Sequence, residues 1–257
     1  MNKSNLVLKH FSQAANSYDK VAYLQRITGD KLLGQLNTSP KQILDLGAGT
    51  GYCSTLLSQK FPDSKILSLD LSPSMLEQIP LDENITPVQS DMNALPIINN
   101  SLDLVLANMS LQWSPNLLNT LTGIYQSLSS QGDCLFSLPG PQTLSELRTS
   151  WEQVDAFDHT NRFYSETELH QNLSEVGFKS IQLTSKIYHL EFQTLLELMQ
   201  YLKALGANTI LNNQQKTLMG RLKLRKLTEF YETYRNSGSK LPCTYEIIYV
   251  KASKENS

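Results

Sequence analysis

The sequence predicts an α/β fold in which helices cover both faces of a mostly parallel sheet. Between residues 42 and 138, short apolar runs of strand length alternate with segments that have the period of helices. Four polar residues, Asp45, Asp70, Asp91 and Asn108, stand at or just beyond the carboxyl ends of successive strands. In an open parallel sheet the ligand crevice lies outside those ends, so the pattern also predicts where a binding site is.

Composition narrows the class of protein. The chain has 257 residues, a formal net charge of −2 and 40% hydrophobic residues, which excludes a disordered chain or a small disulfide-stabilised domain. No run approaches the roughly 18 apolar residues that a membrane-spanning helix needs, so we expect no membrane partner. The first residues lack the apolar core of a signal peptide, and we therefore expect a cytoplasmic protein.

The positions of the cysteines and histidines disfavour a Cys-x-x-Cys site and a metal site. Cys53, Cys134 and Cys243 are odd in number and widely separated, which indicates reduced thiols and no Cys-x-x-Cys site. The four histidines show neither i,i+4 pairing with one another nor a nearby set of cysteines. We therefore expect no bound metal.

The elements follow in order from local signals. Helical periodicity over residues 6–36 ends at Ser39-Pro40, so a helical segment precedes the sheet. Ser72 and Pro73 predict the N-cap and first residue of a helix after the second strand. The other elements predicted in this half are strands over 42–46, 65–69, 86–89, 102–106 and 133–138, and helices to about residue 59 and over 115–128, the latter closed by a Gln131-Gly132 turn.

The pattern changes after residue 140, where helices predominate. The elements predicted there are helices over 143–157, 165–176, 194–205 and 214–234, an alternating apolar stretch over 181–192 and a final strand over 245–251. No linker-like stretch separates the halves, so we predict a single domain over residues 1–257.

The strongest local signal is a strand that runs into a G-x-G-x-G turn and a helix, with glycines at Gly47, Gly49 and Gly51. Glycines let the backbone approach a ligand closely. A dinucleotide fold needs a further glycine where Tyr52 stands, which disfavours a nicotinamide oxidoreductase. Asp70, on the following strand, can accept hydrogen bonds from both hydroxyls of a ribose. The pattern predicts a nucleoside site, and the alternative is a purely structural turn.

This stretch resembles motif I of the class I S-adenosylmethionine-dependent methyltransferases. The resemblance implies a Rossmann-like sheet, mostly parallel with an antiparallel last strand, with N-terminal helices and a helical insertion before that strand. It also implies that the glycine turn faces the methionyl portion, that Asp70 binds the ribose and that Asp91 reaches the adenine amino group. The alternative for Asp91 is a loop cap. The implied cofactor-binding set is Asp45, Gly47, Gly49, Gly51, Asp70, Leu71, Asp91, Met92 and Asn108.

Strings outside this core resemble the malonyl-[acyl-carrier-protein] O-methyltransferase family of biotin synthesis. They are residues 11–19, 111–113, 137–148, 161–163, 202–207 and 244–246. The resemblance runs from about residue 9 to 250. It implies methyl transfer to the free carboxylate of a malonyl thioester on an acyl-carrier protein. It further implies a helical lid over residues 1–38, a cofactor-binding core over 39–140 and an acceptor side over 141–257.

Such a reaction depends on positioning the carboxylate oxygen against the methyl group more than on acid–base catalysis. A malonyl carboxylate is already ionised at neutral pH, so the lack of an obvious catalytic His or Cys is expected. A buried carboxylate needs a cation, and we predict Arg148, because a guanidinium can hold it with two hydrogen bonds. Arg162 is the second candidate, and the alternative for Arg148 is a surface salt bridge to Glu152.

Tyr18 is the second predicted catalytic residue. In the resembling family a tyrosine of the N-terminal Tyr-Asp pair covers the cofactor, and its phenol could donate to the attacking carboxylate. Tyr18 also fits the apolar face of the first helix, so core packing alone is the alternative.

The charge is distributed unevenly along the chain. Residues 201–257 carry 10 Lys+Arg and 4 Asp+Glu, a balance of +6, which leaves −8 for residues 1–200. The densest basic part, residues 216–226, has no interleaved aromatic residues, and the overall net charge is −2, so a nucleic-acid partner is disfavoured. The resemblance implies that this basic region binds an acidic acyl-carrier protein. The alternative is a solvated helix face that binds no partner. The predicted docking residues are Arg221, Lys223, Arg225 and Lys226.

Two other functions share the same cofactor residues. One is a methyltransferase that acts on a small-molecule carboxylate, a quinone ring or a trans-aconitate-like acid, because fold and cofactor say little about the acceptor. The other is a non-catalytic cofactor-binding or scaffold protein. The sequence predicts no particular oligomeric state.

Overall fold

The computed structural model describes residues 3–207 and 220–255. In these ranges seven strands form one sheet: β1 (Gln42–Leu46), β2 (Lys65–Asp70), β3 (Ile85–Gln89), β4 (Leu102–Asn108), β5 (Leu128–Pro139), β6 (Ser180–Phe192) and β7 (Leu241–Ser253). The α-helices are α1 (Lys3–Val21), α2 (Tyr23–Leu33), α3 (Tyr52–Lys60), α4 (Pro73–Leu76), α5 (Leu117–Ser127), α6 (Ser145–Glu152), α7 (Glu166–Val176), α8 (Leu195–Ala204) and α9 (Arg221–Glu232). Among the described helices, none is long and apolar enough to cross a membrane.

The strand order is β3-β2-β1-β4-β5-β7-β6. Strands β1 to β5 pair in parallel, whereas β7 pairs antiparallel with both β5 and β6. Helices α8 and α9 lie between β6 and β7 in the chain, as the helical insertion was predicted to do. The predicted fold class is thereby confirmed. The order reverses between β1 and β4, and a ligand crevice is expected at the carboxyl ends of these two strands.

Both faces of the sheet are buried, as expected for parallel strands covered by helices. In β4, Leu104 and Leu106 pack into one hydrophobic cluster, which also contains residues of α2, α3, α6, α8 and α9. Val105 and Ala107, which point to the opposite face, pack into a second cluster with residues of α5 and α7. The continuous apolar run of β4 therefore reflects burial on two sides.

Some predicted boundaries shift because of local backbone geometry. The N-terminal periodicity is interrupted at Ala22, which separates α1 from α2. The predicted turn at Gln131-Gly132 lies within β5, where Gln131 has a φ of 68° and the register with β4 slips. Helix α6 starts later than predicted because Leu144, at its start, has a φ of 56°, and it also ends earlier, at Glu152. Of the helix predicted over 214–234, residues 214–219 lie outside the described residues.

Candidate active site

Residues at or after the carboxyl ends of β1, β2, β3 and β4 line one cleft beneath helix α1, which we call the nucleoside cleft. It brings together seven of the predicted cofactor residues, Gly47, Gly49, Asp70, Leu71, Asp91, Met92 and Asn108. From α1, the side of the cleft is formed by Ser4, Val7, Leu8, Phe11 and Tyr18. Asp45 lines an adjoining narrow cavity with Gly47, Gly49, Asn108 and Tyr18.

The three glycines of the turn have different roles in the structure. All have positive φ, 74° at Gly47, 56° at Gly49 and 84° at Gly51. A Cβ at Gly47 would lie 2.3 Å from the Cβ of Ser110, whereas one at Gly49 would meet no atom within 4 Å. Gly49 thus leaves backbone open to the cleft. A Cβ at Gly51 would contact Ile79, and Gly51 does not line the nucleoside cleft, so its role in the fold is to begin α3.

Asp70 joins the ends of two loops. Its Oδ2 accepts a hydrogen bond from the backbone N–H of Gly49 at 2.9 Å, and its Oδ1 accepts one from the N–H of Ser72 at 2.8 Å. Burial raises the pKa of the Asp70 carboxyl, and these backbone hydrogen bonds oppose the rise. A carboxylate has about four lone-pair sites, so Asp70 retains acceptor capacity for a ligand hydroxyl.

Asp91 caps its own loop, which is the alternative that the sequence left open. The backbone N–H and the side-chain Nδ2 of Asn93 both donate to Asp91 Oδ1, at 2.9 and 2.7 Å. Burial tends to raise the pKa of Asp91, but the hydrogen bonds from Asn93 and Ser4 outweigh it and lower the pKa. The carboxylate nevertheless lines the nucleoside cleft, so capping orients it toward that space.

Asn108 fastens helix α2 to the sheet. Its Oδ1 accepts from Thr28 Oγ1 at 2.8 Å and from Ser137 Oγ at 2.7 Å, while its Nδ2 donates to the Gln25 carbonyl at 2.7 Å. The close approach of α2 depends on Gly29, whose Cβ would lie 2.9 Å from Cys53 Sγ. Asn108 therefore shapes one end of the cleft.

Asp45 is buried at the end of β1, with only 1% of its surface exposed. The hydroxyl of Ser54 donates to Asp45 Oδ2 at 2.6 Å and lies 2.6 Å from the hydroxyl of Ser68. Burial raises the pKa of Asp45 to about 7, although the hydrogen bond from Ser54 opposes the rise. The carboxyl group is therefore partly protonated near neutral pH.

This raised pKa predicts a loss of stability with rising pH. Since the folded pKa is about 7 and the unfolded value is near 4, the contribution of Asp45 is fully present below pH 4. It is lost as the pH rises through 7. We expect the Asp45→Asn variant to reduce the fall in unfolding free energy between about pH 5 and pH 8 by roughly 2 to 3 kcal/mol.

Urea denaturation of both proteins at the two pH values measures this difference. The exposed Asp63→Asn variant is the control, and it should follow the wild type. An Asp45→Asn variant with the pH dependence of the wild type would show that Asp45 is ionised throughout this range.

Tyr18 lies where the nucleoside cleft meets a second cavity, and its side chain lines both. Burial raises the pKa of its phenol, which keeps the hydroxyl protonated and able to donate. No described residue forms a hydrogen bond with this hydroxyl. The neighbouring Asp19 accepts a hydrogen bond from Thr50 Oγ1 at 2.8 Å, which attaches the end of α1 to the glycine turn.

The second cavity, which we call the apolar cavity, has a volume of about 230 Å³. It shares Phe11, Tyr18, Met109 and Trp113 with the nucleoside cleft, so the two are adjacent. Residues from distant parts of the chain form its other walls, including Gln25, Gln112, Leu147, Trp151, His159, Phe163, Met199, Leu202 and Tyr245.

Two carboxamide oxygens in the apolar cavity have no hydrogen-bond partner among the described residues. They are the buried Oε1 atoms of Gln25 and Gln112. The Nε2 of Gln112 donates to the Met109 carbonyl at 2.6 Å, which holds that side chain in place. Buried polar atoms normally find partners, so these oxygens indicate positions where a bound molecule would donate a hydrogen bond.

The predicted cation does not line the apolar cavity. The guanidinium of Arg148 instead donates to the carbonyls of Pro141 at 2.9 Å and Thr143 at 3.3 Å, and among the described residues it makes no salt bridge to Glu152. It therefore secures the loop that follows β5. Arg162, the second candidate, is largely exposed and pairs with Glu168.

His159, which no motif in the sequence singled out, does line the apolar cavity. Its ring stacks on Trp151 with centroids 3.6 Å apart, and its Nε2 lies 2.7 Å from Asp155 Oδ1. The one available signal was its position two residues before the family-like string 161–163. Within the described ranges, no group of His, Cys, Asp or Glu could hold a metal ion.

The predicted docking residues lie on α9, and two of them form ion pairs. Lys223 Nζ is 2.7 Å from Asp155 Oδ2, and Arg225 is 3.3 Å from the exposed Glu229. Arg221 and Lys226 are exposed and have no ion pair with another described residue. Through Lys223 and Asp155, α9 is connected to His159 at the edge of the apolar cavity.

The residues present fit S-adenosylmethionine. Gly49 leaves space over its backbone, Asp70 retains acceptors for ribose hydroxyls, and Asp91 lines the same cleft beside Met92. Fold and site together define a class I S-adenosylmethionine-dependent methyltransferase. A family model described as a methyltransferase domain matches residues 18–183.

Curated relatives narrow this class to one family. The malonyl-[acyl-carrier protein] O-methyltransferase of Methylococcus capsulatus is 35% identical over 251 residues, which cover 95% of this chain and 91% of the relative. That of Gallionella capsiferriformans is 34% identical and covers 95% and 88%. The chain belongs to the malonyl-[acyl-carrier protein] O-methyltransferase family.

A third relative is longer than this chain. The biotin biosynthesis bifunctional protein BioHC of Teredinibacter turnerae is 34% identical over 96% of this chain, which spans only 46% of the relative's length.

Solved structures agree on the fold. The YcgJ protein of Bacillus subtilis superimposes with a TM-score of 0.62 at 14% identity, covering 90% of this chain and 98% of that one. The phosphoethanolamine N-methyltransferase 2 of Haemonchus contortus, solved with S-adenosyl-L-methionine, gives 0.59 at 14% identity and covers 95% and 57%.

Proposed function

We propose that this chain transfers the methyl group of S-adenosylmethionine to the free carboxylate of malonyl-acyl-carrier protein. The product is the methyl ester that starts the pimeloyl chain of biotin synthesis. One observation carries the proposal: a nucleoside cleft and an apolar cavity share Tyr18 in their walls. The relatives that support it are malonyl-[acyl-carrier protein] O-methyltransferases that match 95% of this chain.

In the nucleoside cleft we assign a part of the cosubstrate to each group of residues. Asp70, with the backbone at Gly49 and Leu71, holds the ribose, and Asp91 with Met92 holds the adenine. Gly47, Asn108 and the buried Asp45 form the methionyl end. When bound, S-adenosylmethionine supplies a methyl group on a sulfonium, which is left as a neutral thioether.

The acceptor needs no general base, because its carboxylate is ionised at neutral pH. An oxygen of this carboxylate bonds to the methyl carbon while the carbon–sulfur bond breaks, and no proton moves. The protein must therefore orient the oxygen and exclude water. The apolar walls of the second cavity exclude water, and the Tyr18 hydroxyl can donate to the acceptor. Residues 1–38 act as a helical lid in this assignment.

Helix α9 is the proposed docking surface for the carrier protein. Arg221 and Lys226 are exposed, and Lys223 reaches toward the apolar cavity through Asp155. Acyl-carrier proteins are acidic, and complementary charge speeds and orients association. The thioester arm of a carrier on α9 would lie close to the edge of that cavity.

Charge reversal on α9 tests this docking surface. In the double variant Arg221→Glu, Arg225→Glu, we expect the KM for malonyl-acyl-carrier protein to rise about 10-fold or more at low ionic strength. The effect should shrink at high salt because ions screen exposed charges. The same charge change at exposed lysines elsewhere, Lys41→Glu with Lys179→Glu, should leave KM nearly unchanged. Equal effects of the two double variants would point to net charge alone.

The reaction itself is tested by intact-mass spectrometry. Purified protein and S-adenosylmethionine are incubated in parallel with malonyl-acyl-carrier protein, malonyl-coenzyme A and free malonate. We expect one added methyl group on the carrier-bound malonyl unit. A gain on free malonate alone would favour a small-molecule acid methyltransferase, and cofactor binding without any gain would favour a non-catalytic role.

A further inference from the structure

We infer that His159 is the residue that recognises the free carboxylate of the acceptor, an inference that rests on the proposed function. Among the described residues that line the apolar cavity, His159 is the only one whose side chain can carry a positive charge. The cavity is otherwise formed by apolar side chains, carboxamides, hydroxyls and phenols. His159 is therefore the place in these walls where a carboxylate can meet a positively charged group.

An acceptor carboxylate in this cavity needs such a partner. Removing an ionised carboxylate from water without a compensating charge or hydrogen bonds costs several kcal/mol. The two arginines expected to meet that need make other contacts, Arg148 with two backbone carbonyls and Arg162 with Glu168. A histidine in the wall can donate a hydrogen bond and can carry a positive charge, and its side chain is shorter and less flexible than that of lysine or arginine.

The surroundings of His159 hold its ring in one orientation. Trp151 stacks on the ring with an interplanar angle of 12°, and Asp155 is bonded to Nε2 at 2.7 Å. With Nε2 bonded to a carboxylate, the second ring nitrogen, Nδ1, is the group available to an acceptor oxygen. A carboxylate partner of this kind sets the orientation of the imidazole ring.

Asp155 is itself held as an anion. Burial would raise its pKa, but hydrogen bonds from Lys223 and His159 outweigh burial and lower the pKa to about 2. Lys223 contacts Oδ2 at 2.7 Å while His159 contacts Oδ1, so removing the imidazole leaves Asp155 paired. A variant at His159 therefore does not leave this carboxylate without a partner.

If the site recognises the charge of the carboxylate, substrate and product should differ in affinity, because methylation removes the negative charge. The test uses protein saturated with S-adenosylhomocysteine and titrated calorimetrically with malonyl-acyl-carrier protein and with its methyl ester. We expect the wild type to bind the free acid more tightly than the ester. In His159→Gln, affinity for the acid should fall about 30-fold or more, with a much smaller change for the ester.

Two further variants separate charge recognition from packing. His159→Lys restores a positive charge and should regain part of the preference for the acid. His170→Gln, on the exposed side of α7, is the matched control and should behave as the wild type. S-adenosylhomocysteine affinity and thermal unfolding of each variant report whether its fold is intact.

The outcomes distinguish this inference from the proposed function. A His159→Gln variant that keeps the preference for the acid overturns the inference, as does an equal loss in the Gln and Lys variants, which would assign His159 to packing. If Arg148→Gln removes the preference while His159→Gln retains it, the carboxylate site belongs to Arg148. A wild-type protein that adds no methyl group to malonyl-acyl-carrier protein contradicts the proposed function itself.

Discussion

The Asp70→Asn variant is expected to bind S-adenosylmethionine about 100-fold more weakly than the wild type, because hydrogen bonds to a charged acceptor contribute about 1.5–3 kcal/mol each. Both Asp70 oxygens already accept a backbone N–H, from Gly49 and from Ser72. Asparagine keeps only one acceptor oxygen. Its NH2 group, which cannot accept a hydrogen bond, must therefore face either a backbone N–H or a ribose hydroxyl.

Calorimetric titration with S-adenosylmethionine and S-adenosylhomocysteine measures this loss, which should be similar for both ligands because they share the ribose. Asp103→Asn is a matched control. Asp103 also accepts two backbone N–H groups, those of Lys41 and Gln42, but it does so at the opposite end of β1. Normal affinity in Asp70→Asn would contradict the ribose assignment, and equal losses in both variants would indicate a general effect on the fold.

The Tyr18→Phe variant is expected to lose about 100-fold in kcat, which is the size of effect seen when one well-placed hydrogen-bond donor is removed from an active site. The ring should still fill its place among Ala14, Ala15 and Met75, so stability should change little. Cofactor affinity should also remain close to that of the wild type. The loss arises because the hydroxyl, which forms no hydrogen bond with a described residue, would no longer donate to the acceptor.

Steady-state kinetics at saturating S-adenosylmethionine measure this effect, and calorimetry measures cofactor affinity separately. Tyr23→Phe is the control, because Tyr23 is exposed at the start of the next helix. A Tyr18→Phe variant with normal turnover would restrict Tyr18 to packing, which is the alternative that the sequence left open.

The cofactor side of the site was predictable because it depends on local sequence. The strand–turn–helix pattern around Gly47 sets the positive φ angles of the turn, and the polar residues that end parallel strands meet at one edge of a sheet. Asp70 and Asp91 therefore reach the same cleft although they are 21 positions apart in the chain. The N-cap at Ser72 was confirmed for the same local reason.

The acceptor side was not predictable in the same way, because its walls come from elements far apart in the chain. Phe11 on α1, Trp151 on α6, Met199 on α8 and Tyr245 on β7 share one cavity only after the sheet and its helices have packed. No spacing rule relates such positions. The family-like strings marked several of these segments without indicating which side chains face inward.

By itself, then, the sequence determined the fold class, the cofactor cleft and the family, since each depends on periodicity or on motifs of contiguous residues. The tertiary structure alone decided which ionisable groups line the apolar cavity. Arg148 donates to the carbonyls of Pro141 and Thr143, in the turn that precedes α6, and does not line the cavity. His159 does line that cavity, because Trp151 stacks on its ring and Asp155, four residues before it in the chain, is bonded to its Nε2.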